Sequence, residues 1–170
     1  MLNKEISRLI NEQINKEFYS AYLYLGINCY YVSKNLNGFA NWFYVQAQEE
    51  RDHAMLFVKY LENNSVEVEL SDIAAYQADY TDFGRPLAVT LDHERVVTDS
   101  INNIYSAAMT AKDFRTMQFL DWFIKEQGEE EKNAADLIQK YELFGKDGKG
   151  LYMLDTELAA RMYMPPSLVI

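Results

Sequence analysis

The chain holds one cysteine, two histidines, three prolines and seven glycines in 170 residues. A single cysteine excludes an internal disulfide, and Cys29, in a helical stretch, reads as a small core residue of a reducing compartment. No apolar run approaches the ~18 residues a membrane span needs, so no membrane partner is expected. Basic residues are the minority, 16 Lys and Arg against 26 Asp and Glu, for a net charge of −10. That balance argues against a nucleic-acid partner and for attraction of cations. No internal repeat, low-complexity stretch or signal-peptide pattern is visible, and Met1 to Glu5 leads straight into an amphipathic segment. A soluble cytoplasmic protein is expected. What is abundant is apolar: 49% of residues are hydrophobic and 14% aromatic, which excludes disorder and supports one domain with a sizeable core.

The apolar residues recur in steps of three and four, which puts each row on one helix face. The first row runs Ile6, Ile10, Ile14, Glu17, Ala21, Tyr24. The second runs Phe43, Ala47, Glu50, Ala54, Phe57, Leu61, with His53 one turn from Glu50. The third is Leu87, Leu91, Glu94, Val97, Ile101, Ile104, and the fourth is Leu120, Phe123, Gln127, Glu130, Ala134, Leu137. Each row is interrupted by carboxylates or their neighbours, and no Lys or Arg joins them.

These polar groups also share a height. Antiparallel neighbours are level when equidistant from the turn between them. The midpoint of Glu17 and His53 falls at position 35, within Ser33-Lys34-Asn35-Leu36-Asn37-Gly38, the clearest break in the first half. The midpoint of Glu94 and Glu130 falls at position 112, within Thr110-Ala111-Lys112-Asp113. Two hairpins thus each deliver polar groups to mid-helix.

The spacing predicts helices over about 4–33, 37–64, 86–110 and 114–144, with Asn3 as the first N-cap and Pro86 in the first turn of the third helix. Residues 65–85 form a long connection, partly extended where Val66, Val68 and Leu70 alternate with Glu67 and Glu69. A helix of about 28 residues is ~42 Å long, and a link of about 21 residues reaches up to ~70 Å. The link can therefore cross the bundle and leave helices two and three parallel. The expected fold is all-α: a four-helix bundle with one long crossover. Residues 1–145 form the bundle. Residues 146–170 add a glycine-rich hinge, a short fifth helix over 151–163 ended by Pro165 and Pro166, and an apolar tail, all within the same domain. The fifth helix, with Leu151, Leu154, Leu158 and Met162 on one face, is expected to pack against symmetry mates, because the complete bundle offers it no further surface.

Buried carboxylates are costly unless something positive meets them. Hard ligands converging in a bundle without a cationic side chain call for a metal. Carboxylates with one imidazole suit iron or manganese better than copper or structural zinc, and the two oxygens of Glu50 let it bridge two ions. Glu50-x-x-His53 is weak alone and gains its weight from the apolar stripe and from Glu17 at the same level. Taken alone, Glu12, Glu129 and Glu131 read as solvated helix charges. His93 points roughly 100° away from Glu94 and reads as off the site. The aromatic rows and the methionines read as core or subunit interface.

With these residues in view, the chain resembles the bacterial non-haem ferritins over essentially its whole length. The resemblance rests on Asn11-Glu12-Gln13 through Glu17-Phe18-Tyr19, Gln48-Glu49-Glu50-Arg51-Asp52-His53, His93-Glu94, and Glu126-Gln127-Gly128-Glu129-Glu130-Glu131-Lys132, with Gly150-Leu151-Tyr152 and Asp155 before the fifth helix. Di-iron carboxylate bundles set single Glu ligands on two helices and Glu-x-x-His on the other two. This chain matches on three helices and carries Gln127-x-x-Glu130 on the fourth. The resemblance implies a ferritin-like bundle in which Glu17, Glu50 and His53 hold one iron. It implies a second iron at Glu50, Glu94 and Glu130 with Gln127 beside it, and a third, nearby site at Glu49, Glu126, Glu129 and Glu130. Tyr24 resembles the ferritin tyrosine beside the centre, and Trp122 an aromatic residue one turn further out, both candidate electron donors. It also implies a 24-subunit shell in which iron(II) is oxidised by dioxygen or peroxide and stored as a ferric oxy-hydroxide mineral.

Two features depart from related patterns. Haem-binding relatives carry Met between the Glu and His of the first motif, where this chain has Arg51, and position 130 is Glu rather than His, so no haem is expected. Gly128 lies within the fourth helix, where Gly costs ~1 kcal/mol relative to Ala, and room for a neighbouring side chain is the one account of it. A non-catalytic shell subunit would lack Glu17, Glu50 and His53. A DNA-protecting relative would lack the fifth helix and the acidic charge. A di-iron oxygenase would need an open substrate pocket, against which the crowded aromatic packing speaks.

Overall fold

The computed structural model describes residues 2–76 and 80–170. Five helices follow in order: α1 (Lys4–Ser33), α2 (Asn37–Asn63), α3 (Arg85–Ala111), α4 (Phe114–Phe144) and α5 (Gly148–Leu158). Asn3 caps α1 as expected, its Oδ1 accepting from Glu5 N at 2.8 Å. Asp113 caps α4 by accepting from Thr116 N at 3.1 Å. Both satisfy N–H groups that a helix start leaves without an intrahelical partner. The two hairpin turns pivot on left-handed residues, Asn35 at φ 59° and Lys112 at φ 55°. These are the two midpoints that the polar residues define in the sequence.

The backbones approach most closely between α1 and α2, α3 and α4, and α1 and α3. Long side chains join α2 to α4: Phe57 stacks on Phe123 with centroids 4.2 Å apart, and Tyr60 stacks on Phe119 at 4.0 Å. The crossover leaves Asn64 and lies along α1. Val66 and Val68 reach the core, and Glu69 N donates to Asn11 Oδ1 at 2.8 Å. Leu70, expected to share their pattern, is exposed, and none of the described crossover residues forms a strand. Further on, the Tyr76 ring lies where a Cβ on Gly26 would sit, 2.3 Å from its nearest atom, so the crossover docks on α1 only because residue 26 is glycine. The Tyr31 hydroxyl donates to Phe83 O at 2.6 Å just before α3 begins.

The core divides into two clusters. One gathers Ile6, Ile10, Ile14, Phe57, Leu61 and Phe123. The other gathers Leu23, Ile27, Tyr31, Phe39, Phe43 and Leu137. The buried polar layer Glu17, Glu50, His53, Glu94, Gln127 and Glu130 falls at the bundle positions between them. Apolar plugs at both ends keep water from that layer and strengthen electrostatics inside it.

Two expectations are corrected. Cys29 is exposed rather than in the core, because it lies off the stripe of Tyr24, Ile27 and Tyr31. The fifth helix spans Gly148–Leu158 rather than 151–163 and packs within its own chain. It starts earlier because Asp147 Oδ1 accepts from Lys149 N and Gly150 N, both at 3.0 Å. It stops earlier because Asn41 Nδ2 donates to the Leu158, Ala159 and Arg161 carbonyls, which satisfies acceptors that a continuing helix would use. Met162 is 80% exposed, while Leu154 and Leu158 are buried. The surface that receives α5 is the start of α2. Leu36 supplies no side-chain cap there, and Asp155 Oδ1 accepts from Gly38 N at 2.8 Å and Phe39 N at 3.0 Å. A carboxylate at the positive end of a helix dipole is favoured. A Cβ on Gly38 would lie 1.6 Å from Asp155 O, so only glycine lets the two helices approach this closely.

Candidate metal centre

Glu17 projects from α1, Glu50 and His53 from consecutive turns of α2, Glu94 from α3, and Gln127 and Glu130 from α4; each is 5% exposed or less. Donor atoms of Glu17, Glu50 and His53 all lie within 4.8 Å of one another, and among the described residues this is the group of metal-ligating side chains that meets that spacing. Glu50 Oε2 lies 3.4 Å from His53 Nδ1. Glu17 Oε2 is buried and has no hydrogen-bond partner. A buried carboxylate oxygen without a partner is costly, and beside a second carboxylate and an imidazole it is a donor that fits a cation of intermediate hardness.

Glu94 and Glu130 stand on the α3 and α4 side of the layer, outside that closest group. Glu94 Oε1 accepts from the Tyr24 hydroxyl, and its Oε2 accepts from Gln127 Nε2 at 3.2 Å. Glu130 Oε2 accepts from Gln46 Nε2 at 2.8 Å, and the same nitrogen donates to Glu50 Oε1 at 3.1 Å. Gln46 therefore spans from the α2 carboxylate to the α4 carboxylate. Its own Oε1 is buried without a partner.

Sequence reading missed Gln46 and Gln13. Gln13 Nε2 donates to Glu17 Oε1 at 2.7 Å, and Gln13 Oε1 accepts from Ser100 Oγ at 2.6 Å. Both glutamines are fully buried, and both lie four residues before a Glu of the layer. That i, i+4 spacing was the available signal. Amides in this position fix the carboxylate rotamers, as the outer shell of a metal site does.

The electrostatics are those of carboxylates kept from water. Burial and then the charge of Glu50 push Glu17 up to about 8 and Glu130 up to about 8. Burial, then Glu50 and Glu130, hold Glu94 well above the usual carboxylate range. Burial also opposes ionisation of Glu50, but the His53 hydrogen bond and charge outweigh it and hold its carboxyl below the ordinary value. For His53, burial disfavours the imidazolium, and the contacts to Glu50 overcome it and raise the group to about 10. The centre without a cation is thus a Glu50–His53 ion pair among carboxyls that keep their protons. A divalent ion would replace those protons. Burial and then Glu94 raise the Tyr24 hydroxyl well above its ordinary value, so it stays a hydrogen-bond donor.

The outer carboxylates are placed differently. Glu49 is ion-paired with Arg161, Nη2 to Oε2 at 2.5 Å. Glu126 is half-buried, and burial raises its carboxyl. Glu129 is exposed beside Lys125 at 3.5 Å. Glu49, Glu126 and Glu129 do not form a closely spaced donor group among the described residues. Trp122 meets the His53 ring edge-on with centroids 5.5 Å apart. His93 lies off the layer, with Nε2 2.7 Å from Ser20 Oγ. Gly128 opens to free space, since a Cβ there would meet nothing within 4 Å. Room for a neighbouring side chain of the same chain therefore does not explain it.

The fold and this layer define a four-helix bundle with a buried carboxylate–imidazole centre. The family description "Ferritin-like domain" matches residues 7–144. A bacterial non-heme ferritin of Campylobacter jejuni is 37% identical over 155 residues, covering 91% of this chain and 93% of that protein. One from Escherichia coli O6:H1 is 35% identical over 159 residues, 94% and 96% of the two chains. Among solved structures, an open pore ferritin of Archaeoglobus fulgidus superposes with TM-score 0.93 at 37% identity, covering 95% of this chain and 100% of that one. A humanized archaeal ferritin gives TM-score 0.95 at 38% identity over 97% and 100%. The chain belongs to the ferritin family. Its fold is the ferritin-like bundle with a short fifth helix, and no described helix is long and apolar enough to cross a membrane.

Proposed function

We propose that this chain is an iron-storage ferroxidase of the bacterial non-haem ferritin type. Iron(II) is its substrate, dioxygen or peroxide the oxidant, and the product is stored as ferric oxy-hydroxide mineral inside a shell of 24 copies in the cytoplasm. The observation that carries the reading is the water-excluded trio Glu17, Glu50 and His53 with the partnerless Glu17 Oε2.

In this reading Glu17, Glu50 and His53 take one iron, and Glu50, Glu94 and Glu130 take a second, with Gln127 holding Glu94 in place. Glu49, Glu126, Glu129 and Glu130 take a third at an outer position. Each of the paired irons gives one electron, and the two electrons reduce dioxygen to peroxide or peroxide to water. The carboxylates stabilise the higher charge that the product ions carry. Gln13 and Gln46 hold Glu17, Glu50 and Glu130 in fixed rotamers, which limits reorganisation as that charge develops. Tyr24 keeps Glu94 oriented and stands within reach as an electron donor, with Trp122 beside His53 in the same role. No protein nucleophile is required, and none lies in the layer.

The test is stopped-flow oxidation of iron(II) in air at two irons per subunit, on the wild type and on Glu130→Ala. Rapid oxidation in the wild type, slowed at least tenfold by the substitution, is expected from loss of a ligand to the second iron. Equal, slow rates in both would sink the ferroxidase reading.

A further inference from the structure

Beyond α5 the chain does not leave the bundle. Residues 159–168 run back along the seam between α2 and α4 as a strap, and each contact lies further along α2 or alongside α4. Asn41 Nδ2 donates to Arg161 O at 3.0 Å. The Tyr163 hydroxyl donates to an Asp52 carboxylate oxygen. Trp122 Nε1 donates to Ser167 Oγ at 3.0 Å, and Leu168 packs on the core cluster that contains Phe57 and Phe119. This seam carries Glu50 and His53 from one side and Glu130 from the other, joined by Gln46, so the strap crosses the face behind which that part of the buried layer lies.

Arg161 is the strap's charged contact with that face. Its Nη2 meets Glu49 Oε2 at 2.5 Å, its Nη1 donates to Trp42 O at 3.3 Å, and its Cζ lies 4.3 Å over the Trp42 ring. Both partners of the ion pair have side chains about one-fifth exposed. The other ion pairs of the surface join side chains that are mostly half or more exposed, as at Arg8–Glu5 or Lys132–Asp136. A guanidinium fixed by an aromatic face, a carbonyl and a carboxylate at once is pre-organised and loses little freedom on pairing. It sits on Glu49, the residue next to the Glu50 that both buried irons would share.

We propose that Arg161 is a tethered cation that competes with iron(II) for the outer carboxylate set, and so sets the affinity of the outer position relative to the buried pair. This rests on the three-iron reading above. A divalent ion reaching Glu49 has to displace the guanidinium. Arg161 is thus a specificity-determining residue that touches neither buried ion.

The test is anaerobic calorimetric titration of the assembled, iron-free protein with iron(II) alone, on the wild type, Arg161→Gln, Arg161→Lys and the double variant Arg161→Gln/Glu49→Gln. The expected result is two tight ions in all four. A third ion should bind about tenfold tighter in Arg161→Gln than in the wild type, by an intermediate factor in Arg161→Lys, which keeps the charge without the planar three-way contact, and be lost in the double variant. A chain ending at Ala160 removes the guanidinium by a second route and should show the same tightening, which keeps the test decisive if Arg161→Gln folds poorly. Two tight ions with an unchanged or weaker third in both Arg161→Gln and the truncated chain would overturn the role of Arg161 and leave the buried pair standing. Fewer than two tight ions in the wild type would overturn the iron-centre reading itself and the role of Arg161 with it.

Discussion

Gln46 Nε2 donates to Glu130 Oε2 at 2.8 Å and to Glu50 Oε1 at 3.1 Å. One neutral amide on α2 thereby fixes the spacing of two carboxylates whose helices are joined by side chains rather than by close backbone approach. Replacing it with leucine keeps the volume and removes the donor. Gln46→Leu should lower iron(II) affinity or the oxidation rate by about 10- to 100-fold, the range found when outer-shell partners of metal ligands are removed. Anaerobic binding and stopped-flow oxidation read this separately, and wild-type values in both would rule out a positioning role for Gln46.

The raised carboxyls make the iron-free protein sensitive to alkali. Below the ordinary value of 4.5, Glu17 and Glu130 are protonated in both folded and unfolded chains. Between 4.5 and about 8 the unfolded chain releases these protons while the folded chain keeps them, so stability falls as pH rises and the loss is complete above about 8. Glu17→Gln/Glu130→Gln lacks both groups. In the absence of metal it should match the wild type near pH 4.5 and exceed it by a margin that grows as pH rises, reaching several kcal/mol above pH 8. Thermal unfolding midpoints across that range check this, and a gap that narrows with rising pH would contradict it.

Binding of iron should release protons for the same reason. At pH 6.5 Glu17, Glu94, Glu130 and His53 all hold protons that the ions displace, and fewer protons should be released at pH 9, where Glu17 and Glu130 have already lost theirs while His53 and Glu94 have not. Titration calorimetry in two buffers of different ionisation enthalpy measures the number directly.

Asp155 caps α2 from a distant part of the chain. Loss of a cap costs about 1 kcal/mol, and here it also frees α5 from its seat. Asp155→Ala should lower the unfolding midpoint and increase amide exchange at Gly38 and Phe39. Unchanged exchange there would show that Asp155 does not cap α2 in solution.

Gly128 lies mid-helix with open space where a Cβ would stand. Gly128→Ala should raise stability of the dissociated subunit by up to ~1 kcal/mol. If the assembled protein is instead destabilised, the space is filled by another copy.

The hydrophobic period and the two midpoints were enough to place four helices, their turns and the six polar residues of the layer, because a helix repeats every 3.6 residues and one axis coordinate then fixes height. Asn35 and Lys112 turn out to be the left-handed pivots themselves. The supporting glutamines were equally present in sequence, as Gln13 and Gln46 four residues before Glu17 and Glu50, but a glutamine in an apolar row reveals its role only when a carboxylate is seen to accept from it. The bounds and seating of the short helix expected after Phe144 were decided by tertiary structure. The sequence shows a short amphipathic helix and an apolar tail; it does not show that the start of α2 lacks a cap of its own, that glycine at 38 leaves room for Asp155, or that the α2–α4 seam is open enough to take Arg161 and Ser167. Those are facts about distances between elements far apart in the chain, and no local period encodes them.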